Sequence, residues 1–573
     1  MNFENKEKFW HSSAHLMAHA IMNLYPDVKF AIGPSIENGF YYDFDNLSIN
    51  DDDLSKIEKE MRKLVEKNLN FEKYFLSKEE ALTKFKNQPY KIELINSIQN
   101  NEISIYKLGD FEDLCRGPHI ENIKEIKNLK LLKIAGSYWR GNSDNQMLTR
   151  IYGISFPEKK MMKEYLNRLE EAKKNDHRII GKKLDLFSFH EEAPGSVFWH
   201  EKGWIIFNQI IDFWRKEHRK HGFKEINTPQ LMNKKLWEQS GHWDLYSENM
   251  FTSVINEKEY ALKPMSCPGN ILYYKEKKHS YNEFPLRIAE LGHVHRNELS
   301  GVLHGLMRVK QFTQDDAHIF VSEEILKEEL KHVISMALGM LKKFGFEKFR
   351  LDISVRSEEK KWKYLGDDEI WEKAENTLKE SLKDLDLDFS IQEGEAKFYG
   401  PSVDIMIKDS MDREWQCSTV QLDFNLPKRF ELKYINSEGK EEDPIMIHRT
   451  LLGSIERFIG ILLEHYKGVL PLWISPVQIS LLPVSENNMV YCKKVREELE
   501  EQGIRTEVKW PNNSLGKRIR NSNKEKIPYF AIIGDEEEKK NILNIRKYGK
   551  DSSYEYSIQE FLKLISKEIQ QKG

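Results

Sequence analysis

No stretch of this sequence approaches the ~20 uninterrupted apolar residues that a membrane-spanning helix requires. The best candidate, Ile459 to Leu472, is broken by Glu464, His465 and Lys467, so no integral membrane segment is expected. Cysteine is scarce: the four in 573 residues, Cys115, Cys267, Cys417 and Cys492, cannot build a disulfide framework. Each is better examined as a metal ligand or reactive group. Positive charge is not in excess either, with 88 Lys and Arg against 92 Asp and Glu and a net charge of −4. Any nucleic acid must therefore be held by local patches. The N-terminus has no apolar signal core, and a cytoplasmic location is expected. Internal repeats and low-complexity tracts are also missing.

What remains is the balance of a soluble globular chain, 39% hydrophobic and 31% charged. At ~150 residues per domain the length implies three or four domains. Apolar residues at Trp10, Ala14, Met17, Ile21 and Leu24 predict an opening helix, ended by Pro26. Short strands follow between Phe30 and Phe44, then a helix from Leu54 to Asn68, giving an α+β module over residues 1–157. The Lys- and Glu-rich run at 158–181 reads as a linker helix. Residues 182–476 read as an antiparallel sheet with covering helices. From Val477 to Gly573, alternating strands and helices, including a helix from Asn488 to Gln502, predict a small α/β domain with a mainly parallel sheet.

Three segments of the middle region carry a specific pattern. FPLRIAELGHVHRNELSGVLHGLMRVKQFTQDDAHIF places Arg296 and Glu298 at a strand end before a glycine-containing loop. MIHRTLLGSIERFIGILLEH sets Gly453 and Arg457 at a strand-to-helix junction, and GWIIFNQIIDFWRKEHRKHGFKEINTPQL ends near Pro229. These resemble motifs 2, 3 and 1 of class II aminoacyl-tRNA synthetases, which implies ATP and Mg²⁺ as partners and, through motif 1, a homodimer. Cations for phosphate and an aromatic platform for adenine are what such chemistry needs. The resemblance assigns Arg296 to the α-phosphate, Glu298 to the adenine edge, Arg308 and Arg457 to the terminal phosphates, and Phe312 to stacking on the base.

Cys267 in LKPMSCPGN, His318 in QDDAHIF and His448 in PIMIHRT resemble the zinc ligands of threonyl-tRNA synthetases. One thiolate and two imidazoles suit Zn²⁺, with a position left open for substrate. The alternative for each alone is a buried cysteine or a hydrogen-bonded core histidine. Zinc would admit threonine through its amino group and hydroxyl and reject valine, which has no hydroxyl, by ~10⁴ to 10⁵. Within the same resemblance, Gln314, Asp316 and Tyr399 bind threonine and Gln416 and Gln421 bind ATP. His242 in QSGHWDLYSENMF takes a proton during transfer of threonine to the ribose of its tRNA. The sequence departs from the family at KFYGPSVDIM, where Ser402 stands in place of the usual lysine and Lys397 is the nearest substitute.

Serine also has a hydroxyl, and one missing methyl group is worth only ~1–3 kcal/mol in a pocket, so a second sieve is required. HSSAHLMAHA sets His11 and His15 on one helix side, and EDLCRGPH supplies Asp113, Cys115 and His119. These resemble the editing domain shared by threonyl- and alanyl-tRNA synthetases, which hydrolyses mischarged tRNA. HxxxH with CxxxH has zinc-ligand types, whereas the threonyl family implies a metal-free water held by histidines and a lysine, here Lys91 in PYKIELI. His19 is assigned to the helix face alone. NNSLGKRIRNSNKEKIPYFAIIGDEEE resembles an anticodon-binding domain, with Asn512, Lys526, Glu537 and Arg546 at base-contacting positions and Lys526 replacing an arginine. The small ubiquitin-like domain that often precedes the editing domain in this family is missing, by nature or by trimming. A relative charging proline or serine, and an RNA-binding regulator on an inactive synthetase fold, are the competing functions.

Overall fold

A computed structural model gives the fold and describes residues 3–142 and 144–572. Two compact units are present, one ending at Glu171 and one starting at Ala172. Among the described residues no helix is long and apolar enough to cross a membrane.

In the first unit, helix α1 (Lys6–Leu24) is buried continuously from Ser12 to Ile21. Ala14, Ala18 and Ala20 keep its girth small where neighbours close in from several sides. It packs on an antiparallel sheet ordered Lys29–Phe30, Gly39–Asp45, Met147–Phe156, Asn128–Tyr138. A second antiparallel sheet, Phe71–Ser77, Glu102–Leu108 and Phe111–Leu114, runs directly into Cys115.

The single linker helix expected at 158–181 is two helices. Lys159–Lys174 packs Met161, Tyr165 and Leu166 on the first unit's core. A new helix, α2 (His177–Leu184), starts at Asp176, whose side chain accepts the Arg178 N–H. An aspartate that caps a fresh N-terminus ends the run of the preceding helix, and α2 belongs to the second unit.

The second unit is built on an eight-stranded sheet. Its middle comprises β1 (Leu286–His295), β2 (Gln311–Val321), β3 (Ser402–Lys408), β4 (Glu414–Asp423) and β5 (Ile445–Ser454) in the spatial order β1-β2-β5-β4-β3, all antiparallel. Parallel pairing occurs between Lys224–Glu225 and β1, and between Phe349–Val355 and Phe389–Glu393. Strand alternation divides labour between the faces. Ala317, Ile319 and Val321 of β2 enter the main core with helices α3 (Glu201–Lys220), α5 (Glu323–Lys343) and α6 (Ile455–His465). Phe320, on the other face, packs with Cys267, Ile271 and Tyr274 of α4 (Cys267–Lys275).

The C-terminal sheet is mixed where a mainly parallel one was expected. Ile479–Pro483 pairs in parallel with Thr506–Val508 and Tyr529–Ile533, but Ile542–Lys547 and Ser553–Ser557 are added antiparallel. The helix Asp535–Lys540 has only six residues, and left-handed Asn541 turns the chain straight back. A parallel crossover needs a dozen residues or more.

Candidate functional site

His318 and His448 are direct cross-strand partners in the β2–β5 pairing. Partners opposite each other project from the same face. The rung continues through Gln421 on β4 and Ser402 on β3. Cys267, at the start of α4, meets them: the ligand atoms of Cys267, His318 and His448 lie within 4.8 Å of one another and all three residues are buried. His318 Nδ1 has no hydrogen-bond partner. Burial pushes the Cys267 thiol pKa well up, with Asp316 and Asp423 adding to the effect. Buried polar atoms left without partners are costly, and a cation answers both the orphan nitrogen and the thiol. The donor set fits Zn²⁺.

Asp423 was not singled out from the sequence, although a carboxylate two residues after Gln421, on the same strand face, was available as a signal. Its Oδ2 lies 2.8 Å from His448 Nε2, and its Oδ1 accepts the Asn425 and Leu426 N–H groups at 2.7 and 2.9 Å. Tyr399 is buried with its ring centroid 5.0 Å from that of His448. Asp316 is buried, which raises its pKa to about 6. A Cβ at Gly292 would lie 2.2 Å from Ser266 Oγ, so glycine is what lets Ser266 sit beside Asp316.

His242 is fully buried and not open to a ribose in this conformation. Its Nδ1 lies 2.8 Å from Ser240 Oγ and its Nε2 3.1 Å from Met265 Sδ and 3.9 Å from Cys267 Sγ. Burial, then His448 and Arg296, lower its pKa to about 3. The imidazole is thus a buried neighbour of the triad.

A cavity of about 530 Å³ gathers Arg296, Glu298, Arg308, Phe312, Gln314, Gln416 and Arg457. Arg296 lies over the Phe312 ring, 5.1 Å from its centroid, and reaches Gln314 Oε1 at 3.5 Å. Arg308 donates to Glu298 Oε2 at 3.0 and 2.8 Å. Arg457 has a buried Nε without a partner and stands over Trp415 at 5.9 Å. Gln421 lies apart from this cavity; its Nε2 donates to Gly400 O in the rung of His448. Asp315, the first of the Asp-Asp pair, accepts the N–H groups of Leu451, Leu452 and Gly453 and so fixes the junction ahead of Arg457. Its role needed the β5 register to be seen. Ser402 is buried and donates to Asp404 Oδ2 at 3.3 Å, while Lys397 is exposed. The buried ammonium of this region is Lys263, which donates to Glu290 Oε1 at 2.7 Å and to Thr228.

In the first unit the ligand atoms of His11, His15, Cys115 and His119 also lie within 4.8 Å of one another. Cys115 Sγ is 3.4 Å from His11 Nε2 and 3.2 Å from His119 Nε2. Beside them Tyr42 OH donates to Asp113 Oδ2 at 2.6 Å, and Lys91 donates to Tyr42 OH at 3.1 Å and is ion-paired with Asp113. Burial lowers the pKa of His11, and lowers those of His15 and His119 much further. Tyr42 was missed as a site residue; the aromatic repeat NGFYYDF hid which ring faces inward. His19 stacks on Phe111 outside the cluster, as assigned.

Of the residues expected at anticodon bases, Glu537 accepts the Gly534 N–H at 2.9 Å and Arg546, on the strand Ile542–Lys547, has a buried Nε without a partner. Asn512 is bonded to Asn513 on the surface. Lys526 donates to the Lys467 carbonyl.

Residues 251–466 match the class II tRNA synthetase core domain of the G, H, P, S and T group, residues 478–568 an anticodon binding domain, and residues 103–152 the threonyl and alanyl tRNA synthetase second additional domain. The chain is 50% identical over 573 residues to a threonine–tRNA ligase of Carboxydothermus hydrogenoformans, covering 99% of this chain and 90% of the relative. It is likewise 50% identical over 574 residues to that of Caldanaerobacter subterraneus, covering 100% and 88%. A crystal structure of the RNA binding domain of threonyl-tRNA synthetase from Cryptosporidium parvum is similar at a TM-score of 0.66 and 38% identity, covering 68% of this chain and 98% of that one. With half its residues shared along nearly its whole length and the synthetase core, anticodon and additional domains all matched, this chain belongs to the threonine–tRNA ligase family.

Proposed function

We propose that the protein activates threonine with ATP at the Cys267, His318 and His448 site, transfers it to the 3′ end of threonine tRNA, and hydrolyses seryl-tRNA at the His11 cluster. The observation that carries the reading is the His318–His448 rung closed by Cys267. A Zn²⁺ held by these three side chains would act as a Lewis acid that takes the amino group and hydroxyl of threonine.

The chain's own groups do the rest. Asp316 accepts a hydrogen bond from that amino group, and Tyr399 and Gln314 close the pocket around the amino acid. ATP, with Mg²⁺ as its counter-ion, enters the cavity of Arg296, with adenine on Phe312 and against Glu298. The threonine carboxylate forms a bond to the α-phosphorus as the bond to the pyrophosphate oxygen breaks. Arg296 holds the negative charge that develops there, and Arg308 and Arg457 hold that of the leaving pyrophosphate. Gln416 and Gln421 line the route between the nucleotide and the amino acid. Since Arg308 is paired with Glu298 in this structure, nucleotide binding exchanges one anion for another at that guanidinium.

At the editing site the imidazoles are neutral and able to take a proton from water as it attacks the seryl ester. Lys91, Asp113 and Cys115 orient His11, His15 and His119 around that water. Asn512, Lys526, Glu537 and Arg546 contact anticodon bases. Homodimer formation rests on α3, whose Trp204 is exposed and which follows the exposed Phe198, and the expected compartment is the cytoplasm.

Threonine-dependent ATP–pyrophosphate exchange, run with metal analysis of the same preparation, tests the whole. Exchange with one zinc per chain supports the reading; no exchange with zinc bound sinks it.

A further inference from the structure

Asp176, His177 and Glu464 form a third group whose ligand atoms lie within 4.8 Å of one another. A metal does not fit there, because the ring is already spent at both nitrogens. His177 Nδ1 lies 2.7 Å from Glu464 Oε1, and its Nε2 accepts the Leu306 N–H at 3.0 Å. The His177 backbone N–H also donates to Glu464 Oε1 at 3.0 Å, and Arg413 pairs with the other Glu464 oxygen at 2.5 Å. Acceptance at Nε2 fixes the tautomer: the proton is on Nδ1, donated to the carboxylate.

The three anchored elements matter more than the cluster itself. Glu464 is near the end of α6, which carries Arg457. Leu306 is fully buried inside a tight turn in which His304 and Arg308 bridge their backbones. Arg308 lines the ATP cavity. At Gly305, with φ +49, a Cβ would lie 2.2 Å from His177 Nε2, so the turn is shaped to admit this imidazole. Gly460 on α6 receives Leu306 and Met307, whose atoms would lie 3.3 Å from a Cβ there.

We propose that His177 is a positioning residue for ATP: by bridging Glu464 to the Leu306 N–H, it holds the turn of Arg308 against the helix of Arg457 so that both guanidiniums meet one triphosphate. This rests on the reading of Arg308 and Arg457 as phosphate ligands. The imidazole touches no substrate, and a helix that looks like a linker in sequence is part of the nucleotide site's frame.

His177→Asn and His177→Gln separate the two bonds. Asparagine places its amide nitrogen where Nδ1 was and keeps Glu464, but leaves Leu306 without an acceptor. Glutamine places an oxygen near Nε2 and keeps Leu306. In ATP–pyrophosphate exchange, H177N is expected to raise the KM for ATP about tenfold, the scale of one lost buried hydrogen bond. The KM for threonine should stay unchanged and H177Q should recover most of the loss. Equal effects of the two variants, or parallel shifts in both KM values, overturn the proposal. Should H177N fail to fold, Glu464→Gln, which keeps an acceptor for Nδ1–H, is expected to leave the KM for ATP near that of the parent, and a tenfold rise overturns it. Arg308→Ala separates the premises. A raised KM for ATP in R308A with none in H177N defeats only the positioning role, whereas no change in R308A defeats the phosphate reading beneath it.

Discussion

Asp423 Oδ2 sits 2.8 Å from His448 Nε2 while its other oxygen caps the short helix Asn425–Arg429. The carboxylate is thus fixed by the backbone before it fixes the imidazole. With the Nε2 proton directed at Asp423, Nδ1 of His448 is left free for a metal.

Asp423→Asn is expected to weaken zinc binding by about 10- to 100-fold, the usual cost of losing an outer partner of a ligand. Competition against a chromogenic chelator measures it. Unchanged affinity would show that His448 is oriented by packing alone.

Cys267→Ala removes the thiolate. The expected outcome is loss of bound zinc and of the preference for threonine over valine, which a hydroxyl-reading site sets at about 10⁴ to 10⁵. Exchange measured with each amino acid decides it; zinc loss with the preference intact would assign selectivity elsewhere.

His242→Ala separates two roles. A neutral, buried ring 3.9 Å from Cys267 Sγ supports the metal site. Activation, read by pyrophosphate exchange, should therefore fall about tenfold or more alongside transfer. A defect confined to the transfer step would restore the ribose-facing role.

Editing should be insensitive to pH around the ordinary imidazole value of 6.5. Burial lowers the pKa of His11, and those of His15 and His119 further. A lowered pKa means that the neutral, proton-accepting form prevails at pH 7 and is lost only as pH falls below 6.5. Single-turnover deacylation of seryl-tRNA should stay level from pH 8 down to 6.5 and decline below it. An inflection at or above 6.5 would contradict the buried cluster.

Lys263 and Glu290 are both almost completely buried and paired at 2.7 Å. Lys263→Met leaves the buried Glu290 charge without its ammonium and should destabilise the catalytic unit by about 3–5 kcal/mol, whereas replacing both with methionine should recover most of it. Denaturant midpoints of the two variants give the comparison.

Much of this site was legible in the order of residues. QDDAHIF alternates core and site positions because a strand turns successive side chains to opposite faces. Cys267, His318, His448, Arg296 and Arg457 could be named from their local contexts. The partners of Asp423 and Asp315 could not, since each acts on groups brought near by strand pairing, although the strand spacing from Gln421 puts Asp423 on the right face. The charge of Lys526 is legible in the sequence, and its hydrogen bond to the Lys467 carbonyl is not. The 158–181 run looked continuous because helical periodicity passes through Asn175 and Asp176, and only the cap geometry shows that a second helix begins there.

The sequence alone determined the chemistry on offer: one thiol and two imidazoles in strand and helix contexts, arginines beside turns, and an HxxxH helix. These are local properties, set by residue type and by the periods of helix and strand. Tertiary structure decided which of them meet. The β2–β5 register places His318 opposite His448, and a slip of one residue would send either ring to the other face of the sheet. It also decided that α2 reaches the turn of Arg308 through His177 and that His242 is buried beside Cys267. Pairing and burial depend on the whole fold's packing, and no local pattern carries them.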